Sequence, residues 1–245
     1  MIKDPRKDIV LLLTGTVNVN NKHFTVHTDA ATRRIEYINT IRFHLNRYPY
    51  PVVFVENSNE DLSEYFAEAI SSQKLEVLYF DGNDYLADLG KGLGELRCIR
   101  HAVENASFFK EDSFIFKITG RYQIVNLPDF IKDYLEDPSI DLLADLTGNF
   151  RYSASAIFGF RPFFARTYLF KNEFLLDDRK RFFFEHSLAK AVLEAIGDNI
   201  NFKIFKHYPK IKAVSGTTGK PYNKSFFYLL PRHFKYWLRY HIVIR

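Results

Sequence analysis

Short apolar runs alternate with amphipathic stretches along the first half of the chain. Residues 9–13 and 52–55 are unbroken apolar runs bounded by polar residues, as in strands buried on both faces of a sheet. In residues 29–47 apolar side chains recur every three or four positions after Asp29, which predicts a helix with an aspartate cap. Four successive strand–helix units predict a mostly parallel sheet with right-handed crossovers.

The second half is less regular, but the same criteria divide it into elements. The predicted strands are residues 9–13, 51–58, 75–82, 114–118 and 139–146, with one more inside 153–170, and the predicted helices are residues 29–47, 61–71, 94–106, 127–135 and 177–196. No repeat, low-complexity tract or linker interrupts them. The sequence therefore predicts one α/β domain of the Rossmann-like type over residues 1–223, followed by a basic aromatic tail at 224–245.

Composition narrows the class of protein. Apolar residues make up 47% of the chain and aromatic residues 17%, which excludes a disordered chain. No apolar run approaches the roughly 20 residues that span a bilayer, and residues 1–16 lack a secretory pattern. The single cysteine, Cys98, excludes an internal disulfide framework and a cysteine-based zinc site. We therefore expect a cytoplasmic protein.

The charge of the chain is unevenly distributed. Residues 1–198 have a net charge of −5, whereas residues 199–245 contain ten basic side chains and no acidic one. Such a segment favours an anionic partner. The cations and aromatics around Lys235, Trp237, Arg239 and Tyr240 fit an anionic membrane surface, or a core helix with its cations in water. A nucleic acid is the least favoured of the three partners.

Polar residues follow the predicted strands at the edge where open α/β proteins bind ligands. Thr119, Gly120 and Arg121 suit a phosphate, because glycine allows close approach and arginine can hold two oxygens, although many strands simply end in such a turn. The glycines at 90, 92 and 94 precede a helix whose N–H groups would favour an anion. The candidate ligand-binding residues at this edge are Thr14, Gly15, Thr16, Arg33, Glu56, Asn57, Asp81, Gly82, Lys91, Gly92, Lys117, Thr119, Gly120 and Arg121.

The order of these signals resembles the GT-A class of glycosyltransferases, especially small enzymes that build bacterial surface polysaccharides. The resemblance rests on pieces such as LLTGT, VVFVENS and KITGRY, and on GKGLGELRCIRHAVENA followed by FIFKITGRY. It implies a GT-A-like fold, a nucleotide-sugar donor held by the candidate residues above, and a glycan or lipid-linked glycan acceptor. A lipid-linked acceptor would place the protein on the inner face of the cytoplasmic membrane.

One departure from that class concerns the metal. The class usually has Asp-x-Asp where this chain has Lys117-Ile118-Thr119-Gly120-Arg121, so no carboxylate is available there. Lys117 or Arg121 could neutralise a departing phosphate as a metal does. Asp81 and Asp84 could bind a divalent ion, but a loop of this composition is more often a turn. We therefore expect no metal and no other cofactor.

The segment FFFEHSLAKAVLEAI resembles the late helix that carries the catalytic base in the same class. Glu185 is the corresponding carboxylate, and partial desolvation beside three phenylalanines would raise its pKa toward a useful range. A glutamate in the first helical turn can also serve the helix dipole alone. His186 is the second candidate for the base. The resemblance implies an inverting, metal-independent glycosyltransferase; a nucleic-acid-binding protein and a non-catalytic scaffold of the same fold remain alternatives.

Overall fold

The computed structural model describes residues 4–19, 28–86, 89–213 and 226–243. Its strands are β1 (Ile9–Gly15), β2 (Val52–Glu56), β3 (Leu75–Tyr79), β4 (Phe114–Thr119), β5 (Gln123–Ile124), β6 (Leu142–Ala144), β7 (Ile157–Phe160), β8 (Phe202–Ile204) and β9 (Ile211–Lys212). Its helices are α1 (Ala30–Arg47), α2 (Ala67–Ser71), α3 (Lys91–Asn105), α4 (Leu127–Leu135), α5 (Pro162–Phe164), α6 (Phe184–Gly197) and α7 (Phe226–Val243). Further single helical turns lie between these elements.

Seven strands form one central sheet in the order β3-β2-β1-β4-β7-β6-β8. The pairs β3–β2, β2–β1, β1–β4 and β6–β8 are parallel, and β7 runs antiparallel to β4 and β6. The predicted α/β class with a mostly parallel sheet is confirmed. Because β7 is reversed, the chain enters it at the edge where β1 and β4 end, which brings residues 152–156 to that edge.

The two central strands are buried along almost their whole length. Every residue of β1 is buried, and in β4 residues 114–118 are buried. Helices α1, α2 and α3 pack against the strands of the parallel part of the sheet, as the apolar runs require. Asp29 accepts a hydrogen bond from the N–H of Thr32 at 2.7 Å, so the predicted cap of α1 is confirmed. Cys98 of α3 is buried and free, as a small core residue.

The prediction is wrong at the start of α6. A helix was expected from residue 177, but residues 177–182 form a tight turn in which Asp177 and Phe182 pair as an isolated bridge. Arg181 adopts a left-handed backbone with φ of 55°, which a continuous helix cannot contain. Because of this turn, α6 begins only at Phe184.

The C-terminal segment contains the long helix α7, which is tied to the end of β6. Tyr236 is buried and its hydroxyl donates to Oδ2 of Asp145 at 2.5 Å. Arg239 donates to Oδ1 of the same aspartate, also at 2.5 Å. No helix in the described part of the chain is long and apolar enough to cross a membrane. The predicted boundary between residues 223 and 224 lies outside the described residues and stays a prediction.

Candidate functional site

A cavity of about 360 Å³ opens at the carboxyl ends of β1 and β4. Its lining comes from the end of β1 and the loop after it, helix α1, the loop after β3, helix α3, the end of β4 and the turn after it, residues 152–156, the start of α6, and β9. Of the residues predicted from the sequence, those that line it are Thr14, Gly15, Thr16, Arg33, Lys91, Thr119, Arg121 and Glu185. The sheet edge therefore brings together half of the predicted set.

The other predicted residues lie outside the lining. They are Glu56, Asn57, Asp81, Gly82, Gly92, Lys117, Gly120 and His186. Several of them support residues that do line the cavity, and their contacts fall into two groups. One group lies around the loop after β1, and the other lies between α3, β4 and α6.

The first group, which we call the loop wall, consists of Thr16, Arg33, Tyr37, Glu56 and Asn57. Arg33 is buried and donates to the carbonyl oxygen of Thr16 from both Nε, at 2.9 Å, and Nη2, at 2.5 Å. Its Nη2 also donates to the hydroxyl of Tyr37 at 3.1 Å, and that hydroxyl accepts from the N–H of Thr16. Arg33, a predicted ligand-binding residue, thus holds a turn of its own chain.

Glu56 of the loop wall also forms its hydrogen bonds with groups of the protein itself. Its two carboxylate oxygens accept from the N–H groups of Val17, Ser58 and Glu60 and from the Ser58 hydroxyl, at 2.5–2.9 Å. Burial raises the pKa of Glu56, and these hydrogen bonds oppose the rise. The carboxylate was predicted to bind the donor, but its hydrogen bonds are made to its own chain.

Asn57 links the loop wall to α3. Its Oδ1 accepts from the Thr16 hydroxyl at 2.6 Å, and its Nδ2 donates to the carbonyl oxygen of Gly94 at 3.2 Å. A Cβ on Gly94 would lie 2.8 Å from Nδ2 of Asn57 and 2.7 Å from the Tyr85 hydroxyl. The glycine at this position is therefore required for packing of α3 against the strand end.

The second group, which we call the carboxylate wall, consists of Glu95, Lys117, Ser155 and Glu185. Lys117 is fully buried, and its ammonium pairs with Glu95 and donates to the carbonyl oxygen of Ser155 at 2.8 Å. Burial lowers the pKa of Lys117, and the negative charge of Glu185 opposes that lowering. Lys117 was predicted to meet the donor phosphates; instead it lies beneath the lining, while Glu95 reaches the cavity.

Glu185 stands in the first turn of α6, on the cavity side. The Ser155 hydroxyl donates to its Oε1 at 2.8 Å, and the N–H of Ser153 donates to its carbonyl oxygen at 3.0 Å. These contacts fix both the side chain and the main chain of Glu185 against the segment that enters β7. The side chain of Glu185 is only partly buried. Such a carboxylate can accept a proton from a ligand in the cavity.

His186 is not among the residues that line the cavity. Its Nδ1 accepts from the N–H of Phe183 at 3.1 Å, which caps the helix, and its ring packs among Tyr152, Phe182 and Phe183. An imidazole nitrogen that accepts this bond is not available as a base. The second candidate for the base is therefore placed as a helix cap beside the cavity.

Arg121 lies between the two walls. It is largely buried, lines the cavity, and forms an ion pair from Nη1 to Glu36 of α1 at 2.7 Å. Gly120 before it allows the turn to reach β1, since a Cβ there would lie 2.4 Å from the carbonyl oxygen of Thr14. Gly120 was predicted to allow close approach of a phosphate. Instead it allows close approach of β1, and the turn that it forms places Arg121 at the edge of the sheet.

The N-terminus of α3 also reaches the cavity through Lys91. The predicted anion site at Gly92 is filled from within, because a Cβ on Gly92 would lie 3.0 Å from the backbone nitrogen of Phe184. The first turn of α3 thus packs directly on the first turn of α6. Asp81 and Gly82 lie beyond this contact; Asp81 pairs with Ser58 in an isolated bridge and is exposed.

Sequence reasoning missed several residues of the lining. These are Tyr37, Asn83, Tyr85, Glu95, Tyr122, Tyr152 and Ser155. For Glu95 a signal existed, because Lys91 and Cys98 share its helix face at spacings of four and three residues. Ser155 had none, because only the reversal of β7 brings its segment to this edge.

A divalent metal of the kind implied by the resemblance finds no fitting ligand set. The end of β4 offers no carboxylate, and the described residues contain no group of three or more His, Cys, Asp or Glu side chains able to hold an ion. Asp84, the second acid of the loop considered above, pairs with Arg97 at 3.1 Å. The cations in the lining, Lys91 and Arg121, favour binding of an anion.

Comparisons with known proteins add structural similarity alone. No family model matches the chain, and neither does any curated protein. Solved structures that resemble it include a protein of Desulfovibrio desulfuricans G20 assigned as a nucleotide-diphospho-sugar transferase (TM-score 0.43, 9% identity, 81% of this chain and 79% of that one). The inositol-1-phosphate CTP transferase of T. maritima has a TM-score of 0.45 and 11% identity, over 93% and 96% of the two chains.

A structure of TarS of S. aureus, residues 1–349, gives a TM-score of 0.43 and 14% identity, over 81% of this chain and 58% of that one. Another TarS structure of this kind is a complex with UDP. The similar structures are thus a mixture of proteins named for transfer of sugars and of nucleotides. The function of this chain therefore has to be inferred from its own site.

Proposed function

We propose that the protein is a glycosyltransferase that moves a sugar from a nucleotide-sugar donor to a hydroxyl of a surface-glycan acceptor. The observation that carries the proposal is the lining of the cavity at the carboxyl edge. There Lys91 and Arg121 supply positive charge, and Glu95 and Glu185 supply carboxylates, around one space of about 360 Å³. A donor with a diphosphate and a sugar presents the complementary pattern of anionic and hydroxyl groups.

The cations are assigned to the diphosphate. Lys91 opens α3, so its ammonium adds to the partial positive charge of the helix N-terminus. Arg121 is held by Glu36 with its guanidinium in the lining, where it can donate to phosphate oxygens. Lys117 acts indirectly, because it is buried and orients Glu95.

The carboxylates are assigned to the sugar and the acceptor. Glu95 is placed to accept hydrogen bonds from sugar hydroxyls. Glu185 removes the acceptor proton while the acceptor oxygen bonds to the anomeric carbon. In the same step the bond from that carbon to the phosphate oxygen breaks, and the nucleoside diphosphate leaves with its electron pair. A single displacement of this kind inverts the anomeric centre.

The acceptor is a glycan or a lipid-linked glycan. In this proposal the protein works in the cytoplasm, on the inner face of the membrane. Two alternatives make different demands: a nucleic-acid-binding protein would use the basic C-terminal segment, and a scaffold of the same fold would bind no donor. The cavity lining favours the enzyme over both, because it contains two carboxylates: Glu95, paired with a buried lysine beneath the lining, and Glu185, held by a serine.

A nucleotide screen followed by product analysis tests the proposal. Thermal stabilisation by one nucleoside diphosphate, and by its sugar conjugates, is expected; stabilisation by oligonucleotides alone supports the first alternative, and no response supports the second. With the stabilising sugar nucleotide, slow hydrolysis should release the nucleoside diphosphate. Release of a nucleoside monophosphate or of pyrophosphate would show nucleotidyl transfer and overturn the assignment.

The same assay tests metal independence. Donor affinity should be unchanged by excess chelator, because the cavity lining offers cations where a metal would otherwise neutralise the diphosphate. A loss of about tenfold, equivalent to about 1.4 kcal/mol, that is restored by manganese or magnesium would show that an ion takes part.

A further inference from the structure

Helix α7 presents an apolar stripe to solvent. Leu230, Phe234, Trp237 and Leu238 are 52%, 60%, 52% and 38% exposed, and their spacing of three and four residues places them on one side of the helix. The rings of Phe234 and Trp237 stack with centroids 6.1 Å apart. Single exposed apolar residues are ordinary on a protein surface, but a contiguous aromatic stripe marks an interaction surface.

The direction of the stripe is fixed by the opposite side of the helix. Tyr236 and Arg239 both bind the carboxylate of Asp145, and Arg239 also donates to the carbonyl oxygen of Leu146 at 3.0 Å. Asp145 follows β6, which is antiparallel to β7 and so ends at the same edge of the sheet as the cavity. The stripe therefore faces outward beside the edge at which the cavity opens.

The charge around the stripe selects the partner. Lys235 is exposed next to Phe234, in a segment, residues 199–245, whose sequence contains no acidic side chain. Lys210 and Lys212, at the strand that precedes α7, are exposed as well. A helix lying in a membrane interface buries aromatic and leucine side chains while its cations meet anionic headgroups. Neither a second, equally basic copy of this segment nor a neutral surface offers that complement.

We propose that the stripe of α7 inserts into the interface of an anionic lipid membrane. The inference deepens the proposed function, on which it rests for the lipid-linked acceptor that would be presented there. It also revises the set of residues expected from the sequence. Trp237 and Lys235 remain on the lipid side, whereas Arg239 binds Asp145 and the ring of Tyr240 packs under the Lys206 ammonium.

The chain provides its own reporter, because Trp237 is its single tryptophan. Tryptophan emission of the full chain is measured while vesicles of equal parts phosphatidylglycerol and phosphatidylcholine are added. We expect a shift to shorter wavelength and quenching by brominated lipid, with a much smaller response to pure phosphatidylcholine. Co-sedimentation with the anionic vesicles and unchanged emission would overturn the proposal, as would the absence of binding.

Two double variants distinguish insertion of the stripe from nonspecific adsorption to vesicles. Phe234→Ser with Leu238→Ser keeps Trp237 and should weaken vesicle binding by about tenfold or more, since it removes two of the inserted side chains. Phe174→Ser with Leu193→Ser removes two exposed apolar side chains elsewhere, 82% and 43% exposed, and should leave vesicle binding unchanged. Equal losses in both double variants would overturn the assignment.

Two further outcomes would also overturn it. An emission shift that depends on protein concentration without vesicles, with a dimer in sedimentation, would assign the stripe to a second copy. Release from vesicles by an oligonucleotide that itself shifts the emission would assign it to nucleic acid. Nucleotide binding in the cavity is measured on the same samples, so failure of the proposed enzyme function is distinguished from failure of membrane binding.

Discussion

The loop wall and the carboxylate wall of the cavity use buried charge in opposite ways. In the loop wall, Arg33 and Glu56 form nearly all of their described hydrogen bonds with two loops, the one after β1 and the one after β2. In the carboxylate wall, Lys117 pairs with a glutamate whose side chain reaches the cavity. The difference shows that a charged residue near the end of a strand can bind a ligand only if its own hydrogen bonds leave one of its polar atoms exposed to the cavity.

The comparison is tested most severely by Glu185→Gln. The change keeps the shape of the side chain and removes the charge needed to take a proton. It should lower turnover by roughly 10²–10⁴, the usual contribution of a general base, and leave donor affinity unchanged. Turnover is followed with an acceptor or by slow donor hydrolysis.

Glu194→Gln is the matched control for that variant. Glu194 lies on the same helix, where it pairs with Lys190 and Lys171 on the outer surface. Its replacement should leave turnover near that of the wild type. If Glu185→Gln behaves like the control, the carboxylate wall holds no base and the proposed displacement has lost the group that drives it.

The next largest effect is expected on stability, from Glu95→Gln. This variant leaves the buried ammonium of Lys117 without its carboxylate, which should lower the free energy of unfolding by about 3 kcal/mol. The double variant Glu95→Gln with Lys117→Met removes both charges and should recover most of that loss. Chemical denaturation of the three proteins measures it; a double variant as unstable as the single one would mean that the ion pair is not the source.

Arg121→Ala tests the residue between the walls. It should weaken binding of the nucleoside diphosphate by roughly 1.5–3 kcal/mol, the range for charged hydrogen bonds, and leave binding of the bare nucleoside unchanged. Glu36→Gln removes the ion pair and keeps the cation, so it should cost clearly less affinity. Equal losses for nucleoside and diphosphate in Arg121→Ala would show that the arginine only supports the fold.

The fold could be predicted largely from local pattern. Apolar runs identified the central strands, and Asp29 and the periodicity after it identified α1. For the site, the sequence could predict only its location at the carboxyl edge of the sheet. The roles of its residues depend on contacts between segments that are distant in the sequence. Glu56 reads as a ligand until the loop after β1 folds over it, and Lys117 reads as one until α3 supplies Glu95 from 22 positions away in the sequence.

The smallest effect expected concerns His44, which supports the cavity from the α1 side. Its Nε2 lies 3.1 Å from the carbonyl oxygen of Tyr122, a lining residue, while its Nδ1 is buried without a hydrogen bond. Burial lowers the pKa of His44 from its ordinary value of 6.5 to about 4. The folded protein therefore holds the imidazole neutral and donating to Tyr122, whereas the unfolded chain takes up a proton near pH 6.5.

Because the folded pKa is depressed, the contribution of His44 to stability is complete above pH 6.5 and is lost as the pH falls toward 4. At pH 5 the loss should be about 2 kcal/mol relative to pH 7. His44→Gln, which can still donate to the Tyr122 carbonyl, should remove this part of the pH dependence while other groups keep theirs. Denaturation of both proteins at pH 7 and pH 5 measures the difference. If wild type and variant lose stability equally on acidification, His44 is not the group that titrates, and the support that α1 gives to the cavity is insensitive to protons.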